Sequence, residues 1–333
     1  MYKLLMTVLV GSIAWAPVAQ AAESAEAFFK GKTITYIVST SPGGGYDTYG
    51  RLVARFMNKL MPDSKVIVKN VPGAGHVVGA NTIYSAKPDG LTFGTFDTGL
   101  IYLQLLKDPA VRFDLNKFTW IGKAATEVRM LVLNTNSGIT KVDELLDPSK
   151  PKAKLQTAGV GSAGYTDTKL VISALHLNVE IIPGYNGSEG LMSMLRGETQ
   201  GTIGSQSSYA EYVSQGKGYF AMAIGAPPGG KVPEAQQFAK DDKAKALLKM
   251  IAAESFLARL TAGPPGIPAD RLQYLREMYM KAMKDPELLE EAKKIGVPID
   301  PADGSVVTPT IAEALEQSPD NIALLAAAVK AVK

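Results

Sequence analysis

Short apolar runs alternate with longer stretches in which apolar positions recur every three or four residues, and this predicts strands and helices in turn. Thr33–Ser39 (TITYIVS) predicts a strand, followed by a loop over Ser41–Asp47 and an amphipathic helix over Thr48–Leu60. Val66–Asn70 predicts a second strand, then a Gly-rich turn, a helix through Ala80–Ser85 and a third strand at Thr92–Thr95. This β-α-β-α-β rhythm predicts a mostly parallel sheet flanked by helices. The rhythm then repeats. Met130–Asn134 and Leu155–Ala158 predict strands, Thr166–Leu175 a helix, Glu180–Pro183 a strand and Glu189–Arg196 a helix. Gly201–Gly204 and Ala221–Ile224 predict two further strands. Beyond the Pro- and Gly-rich stretches at Pro227–Gly230 and Gly263–Pro268, helices are expected over Asp270–Lys284 and Pro286–Ile295, with a last one starting near Pro309 or Thr310. Asp285-Pro286 places proline at a first helical position, where its missing N–H costs nothing.

The simplest assembly is two α/β units joined by crossing strands, with a helical tail returning to the first. A ligand cleft between the units follows from the preference of binding sites for domain interfaces and strand carboxyl ends. Length agrees, because about 310 residues remain after the N-terminal segment described next, enough for two domains.

Lys3 supplies a short basic region, Leu4–Val18 is almost uncharged and apolar, and Ala19-Gln20-Ala21 gives a small-x-small pattern. Residues 1–21 therefore read as an export signal peptide cleaved near Ala22. A membrane anchor would need about 20 apolar residues, and this run is shorter and broken by Pro17. The chain has no cysteine, which excludes disulfides, thiol catalysis and Cys-ligated metals. Its two histidines, His76 and His176, lie about a hundred residues apart and argue against a His-based metal site. Thirty-five basic against 32 acidic residues, with no basic tract, argue against nucleic acid as a partner.

Three Gly-rich loops each follow a predicted strand and precede a predicted helix. In Ser41-Pro42-Gly43-Gly44-Gly45-Tyr46-Asp47, three glycines let a ligand approach the backbone. The N–H groups and dipole of the following helix suit an anion there, with Asp47 as a candidate N-cap. The alternative is a plain tight turn with a cap. The second loop is Pro72-Gly73-Ala74-Gly75-His76-Val77-Val78-Gly79. The third, Gly159-Val160-Gly161-Ser162-Ala163-Gly164, has G-x-G-x-x-G spacing with Glu180 about 20 residues on. A dinucleotide site would want that acid at a strand end, whereas Glu180 begins its strand; Ser162 and Thr166 instead offer donors to a cleft. No G-x-S-x-G elbow is present, His176 falls in or just after the helix that starts at the third loop, and Asp97 and Glu127 are left as a candidate carboxylate pair.

Taken in order, these segments resemble the Bug-type receptors of the tripartite tricarboxylate transporter family. The family's P-G-G-G-x-D-x-x-x-R segment is similar to Pro42-Gly43-Gly44-Gly45-Tyr46-Asp47 followed by Arg51. Its N-x-P-G-A-G-G segment resembles Asn70-Val71-Pro72-Gly73-Ala74-Gly75-His76, and its A-x-P-D-G-Y-T turn resembles Ala86-Lys87-Pro88-Asp89-Gly90-Leu91-Thr92. Phe118-Thr119-Trp120-Ile121-Gly122, Tyr185-Asn186-Gly187-Ser188 and Leu195-Arg196-Gly197-Glu198 match later family segments. The likeness runs from about Thr33 to Ile299.

The resemblance implies a two-domain periplasmic-binding-protein fold of type II that closes like a hinged trap. It implies domain 1 over 22–124 and 226–333, and domain 2 over 125–225. It further implies a non-enzymatic receptor, without cofactor or metal, that captures a small mono-, di- or aromatic carboxylate in the periplasm. Delivery would be to large and small membrane subunits (TctA- and TctB-like), with the receptor acting as a monomer. Ligand contacts carried over by position are Thr40, Ser41, Gly45, Tyr46 and Asp47 from domain 1. Gly161, Ser162, Ala163 and Thr166 follow from domain 2, with Tyr185 and Ser205 closing the rim and no dedicated arginine clamp required. Ser39-Thr40-Ser41, Tyr46, Tyr49, Asp97 and Gly204-Ser205-Gln206-Ser207 depart from the family pattern and imply a reshaped pocket. A secreted α/β enzyme and a receptor feeding a sensor kinase are the alternatives.

Overall fold

The computed structural model describes residues 24–185 and 187–332, so the expected signal peptide lies outside the described residues. Among the described residues, eleven strands form two sheets. The first sheet contains β1 (Thr33–Val38), β2 (Lys65–Asn70), β3 (Thr92–Thr95), β4 (Thr119–Lys123), β10 (Leu260–Gly263) and β11 (Ala302–Asp303), in the order β11-β4-β10-β3-β1-β2. The second contains β5 (Arg129–Asn134), β6 (Ala153–Thr157), β7 (Val179–Pro183), β8 (Gly201–Ser205) and β9 (Gly218–Ile224), in the order β7-β6-β8-β5-β9.

The sheets are mixed rather than mostly parallel. β1 pairs parallel with β2 and β3, and β6 with β7 and β8, as the strand–helix rhythm predicts. The strands nearest the crossings, β4, β5, β9 and β10, pair antiparallel. The physical reason is connectivity: β4 runs directly into β5 of the other sheet, and the chain returns from β9 to β10 of the first, so these strands are joined between the sheets rather than by crossovers within one sheet.

The helix Gly45–Leu60 forms because Tyr49, Leu52, Val53, Phe56 and Met57 make one apolar stripe. That stripe packs on Tyr36 and Val38 of β1 and on Phe93, Leu275 and Tyr279. In the second lobe, the helix Ala163–Leu175 buries Leu170, Val171, Ala174 and Leu175 against Leu131, Leu133, Leu155 and Ile203.

Packing divides the 226–333 segment that was expected with the first unit. The helix Asp242–Ala253, opened by Asp241 accepting from Ala244 N–H, buries Ala244, Leu247, Leu248 and Ile251 in the second core. The tail is two helices rather than one starting near Pro309. Pro309 lies inside Gly304–Leu315, whose Val307 and Ile311 join the first lobe's core around Trp120. The second, Pro319–Ala331, begins at the Ser318 cap and sends Leu325 and Ala328 into the second core. Lys169 Nζ donates to Val329 O at 2.8 Å and fixes it there. Among the described residues, no helix is long and apolar enough to cross a membrane.

Candidate functional site

The carboxyl ends of β1, β3, β6 and β8 meet between the sheets around a cavity of about 130 Å³. For scale, a 150 Å³ cavity holds a benzene. The first lobe contributes Thr40, Gly43, Gly44, Gly45, Tyr46, His76 and Asp97 to its wall; the second contributes Arg129, Gln156, Thr157, Tyr185, Ser205, Ser208 and Tyr209.

The first loop positions Gly44 as N-cap of Gly45–Leu60, with no side-chain cap. Asp47 is not the N-cap but the third residue of the helix. Its carboxylate reaches back to Gly43 N–H at 3.0 Å while Arg51 (2.9 Å) and Asn70 (2.9 Å) hold it. Burial opposes its charge, yet the bonds from Arg51, Gly43 and Asn70 hold its pKa below the usual carboxylate value. The amides of Gly45 and Tyr46, in the first turn, have no intrahelical partner. A Cβ on Gly45 would lie 2.5 Å from Ser208 Oγ and 2.7 Å from Arg259 Nη2, so both side chains would have to shift to admit one.

Arg259 joins the lobes at this point. Its guanidinium pairs with Glu127 at 2.8 Å, donates to Ser207 and Ser208, and lies 4.4 Å from the Tyr46 ring centroid and 4.9 Å from that of Tyr49. Tyr46 is held from another side by His76 in an edge contact at 5.9 Å. Glu127 is thus committed to Arg259 and Ser207, and Asp97, the other half of the candidate carboxylate pair, has partners of its own.

Asp97, 5% exposed, is instead the point where three segments converge. Its Oδ1 accepts from Gly99 N–H at 2.7 Å and from Ala163 N–H at 2.8 Å. Its Oδ2 lies 3.3 Å from His76 Nδ1, within ion-pair reach but misaligned for a hydrogen bond. Burial would raise its pKa, but His76, Arg129 and the Gly99 amide outweigh burial and hold it well below the usual carboxylate range.

Arg129, 7% exposed, enters from β5. Asp167 engages its Nε at 2.8 Å and Ser205 Oγ accepts from Nη1 at 2.9 Å. Burial opposes its charge, but Asp167 and then Asp97 outweigh that and keep it cationic. Behind it, burial pushes Asp167 up to about 6 and Glu254 well above the ordinary carboxyl value. Neither Glu254 oxygen has a hydrogen-bond partner, although the residue is buried. Thr40 Oγ1, buried on the cavity wall, also lacks one.

Of the residues expected from the sequence, Thr40, Gly45, Tyr46, Tyr185 and Ser205 line the cavity. Ser41 and Asp47, the two ends of the first loop, do not line it. Gly161, Ser162, Ala163 and Thr166 do not line it; the third loop reaches the wall through Gly164, and its other positions are taken up by the chain itself. A Cβ on Gly75 of the second loop would collide with Val160 O, Ser162 N and Gly161 C. Ser162 Oγ accepts from Tyr165 N–H, and Asp97 takes the Ala163 amide. His176 is not packed on its helix but exposed, as its left-handed C-cap. Glu180, exposed and second in β7, is likewise not where a ribose-binding acid would end a strand. The residues missed were His76, Arg129, Gln156, Ser208 and Tyr209. Arg129 heads a strand that is apolar up to its closing Asn134 (RMLVLN), which marks its charge as part of a buried strand but not what it pairs with. Among the described residues, no cluster of His, Asp and Glu is placed to hold a metal ion.

Comparison with known proteins adds three findings. The family model described as tripartite tricarboxylate transporter family receptor matches residues 50–322. The solved periplasmic binding protein BugD is similar at 19% identity and a TM-score of 0.73, over 91% of this chain and 98% of that one. Two Rhodopseudomonas palustris proteins share the fold. MatC with bound malate has 19% identity and a TM-score of 0.71, covering 87% of this chain and 99% of its own. Rpa4515 with adipate has 17% identity and a TM-score of 0.72, covering 89% and 97%.

Proposed function

The chain belongs to the tripartite tricarboxylate transporter family of receptors, solute-binding proteins and not enzymes, and from that premise we propose that it captures a small carboxylate between its two lobes. The observation that carries the reading is the convergence on one cavity of the first-turn amides of Gly45 and Tyr46 with the buried guanidinium of Arg129. Amides at a helix N-terminus and a charged guanidinium both favour a carboxylate over its neutral acid. Thr40, Tyr185 and Ser205 supply hydroxyls around it, and Tyr46, held between Arg259 and His76, covers the ligand. The malate and adipate bound by the two similar proteins support a short organic acid.

In this reading residues 1–21 direct export to the periplasm, and the lobes close by rotation about the β4–β5 and β9–β10 crossings, as hinged binding proteins do. The domains are the two sheets with their helices, with Asp242–Ala253 and Pro319–Ala331 counted with the second. The closed form is delivered to the two membrane subunits of a secondary transporter.

A thermal-shift screen of the mature protein against C3–C9 mono-, di- and aromatic acids tests this. An acid at a hundred times its dissociation constant stabilises by about 2.7 kcal/mol. A screen in which no acid shifts the melting temperature, or only NAD does, contradicts the proposal.

A further inference from the structure

The second lobe turns two helix N-termini of at least nine residues' length toward the cleft, Ala163–Leu175 and Gln206–Ser214. Both already hold a carboxylate of the chain itself. Asp97 takes the Ala163 amide at 2.8 Å, and Glu127 takes Ser207 N–H at 3.2 Å and its hydroxyl at 2.6 Å. Glu127 is neutralised by Arg259 at 2.8 Å. Asp97 differs, because it also forms part of the cavity wall, together with Arg129. Its Oδ1 is fixed by two amides, so it cannot swing away without breaking the Gly99 and Ala163 bonds. A backbone contact reinforces the fixation: a Cβ on Gly99 would collide with Ala163 N.

The wall therefore carries the guanidinium of Arg129 and one fixed carboxylate, Asp97, whose Oδ1 is held by amides and whose Oδ2 lies 3.3 Å from His76. One ligand carboxylate can lie against Arg129 and the Gly45 and Tyr46 amides. A second carboxylate on the same small molecule would meet Asp97 within a cavity of about 130 Å³, where like charges repel.

We infer that Asp97 is a specificity-determining residue that acts as a built-in second carboxylate, so that the cleft selects monocarboxylates and rejects dicarboxylates. This rests on the carboxylate-capture reading and goes further by choosing the class of acid. Unbranched and ring acids small enough for the cavity fit, and the part of the ligand facing Asp97 is neutral and donates hydrogen bonds or is apolar.

Isothermal titration with three matched pairs tests it: butyrate and succinate, 2-hydroxybutyrate and malate, benzoate and phthalate. At least one monocarboxylate is expected to bind ten times or more tighter than its partner, and no dicarboxylate tighter than its monocarboxylate. A dicarboxylate that equals or exceeds its partner overturns the inference while leaving capture intact. Binding of none of the six overturns the capture reading, and this inference with it.

The variants separate charge from occupancy. Asp97→Asn keeps an acceptor for the two amides but removes the repulsion, and Asp97→Ser vacates the Ala163 amide as well. The mono-to-dicarboxylate affinity ratio should fall about tenfold in Asp97→Asn and further in Asp97→Ser, with circular dichroism confirming the fold. If Asp97→Ser does not fold, Asp97→Asn carries the test. An unchanged ratio overturns the inference.

Discussion

The loops Ser41–Asp47 and Gly159–Gly164 share a design: each leaves a parallel strand, each is glycine-rich, and each ends at a helix N-terminus facing the cleft. They are used differently. The first keeps a glycine N-cap without a side-chain cap, and its own acid, Asp47, satisfies only the amide of Gly43. The third reaches the cavity through Gly164 and is otherwise filled from within, by Ser162 at the Tyr165 amide, by Asp97 at Ala163 and by Gly75 against its backbone. A helix dipole attracts an anion in either place. Tertiary structure decides whether that anion is a ligand's or the chain's own.

The sharpest way to break this contrast is Gly45→Val. The new side chain meets Ser208 of the second lobe as well as Arg259, so affinity for a captured acid should fall at least about a hundredfold, or ~2.7 kcal/mol. The unligated fold should survive, as read by circular dichroism; undiminished affinity in a titration would remove the first loop from the site.

Arg129→Lys should cost about tenfold in affinity, because an ammonium cannot hold Asp167 and Ser205 in the guanidinium's geometry while also facing the cavity. Equal affinity for the two proteins would mean the amides alone suffice.

Stability against pH tests the polar layer behind Arg129. Asp167 and Glu254 have raised pKa values in the folded state, so between about pH 5 and 7 the folded chain holds more protons than the unfolded one. Stability from these groups is fully present in acid and is lost as pH rises. Asp97 and Asp47 act oppositely, their contribution disappearing only as pH falls below the ordinary carboxylate range. Denaturant melts should therefore show lower stability at pH 7.5 than at pH 5.5 by about 1–2 kcal/mol. Glu254→Gln should reduce that slope; a slope of the opposite sign would show both carboxyls ionised at no cost.

The smallest effect is expected at the third loop. Ser162→Ala removes an N-cap and should lower stability by about 1 kcal/mol while changing affinity less than about twofold. A large loss of affinity with little loss of stability would erase the difference between the loops.

Much of the strand–helix order was legible because it depends on local period. β3 lies where it was expected, over Thr92–Thr95, and β1 and β2 within a residue at either end. Asp242–Ala253 carries the same kind of signal, with Leu247, Leu248 and Ile251 at helical spacing, but its place on the second lobe comes from tertiary packing. Pro309 misled because proline commonly begins a helix, whereas here it sits mid-helix at the loss of one backbone hydrogen bond. At the site, glycine and hydroxyl residues were legible because their backbone chemistry is local. Arg129 with Asp167, Arg259 with Glu127, and Asp97 with Ala163 are separated by 38, 132 and 66 residues, and no local pattern distinguishes such partners from surface charges.

The central claim is that the cleft recognises a carboxylate through the Gly45 and Tyr46 amides and Arg129. Titration of the unmodified protein with the strongest acid from the screen and with the corresponding carboxamide tests it most directly. The acid should bind at least about a hundredfold more tightly than the amide, as charge-assisted hydrogen bonds require, and equal affinities would contradict the account.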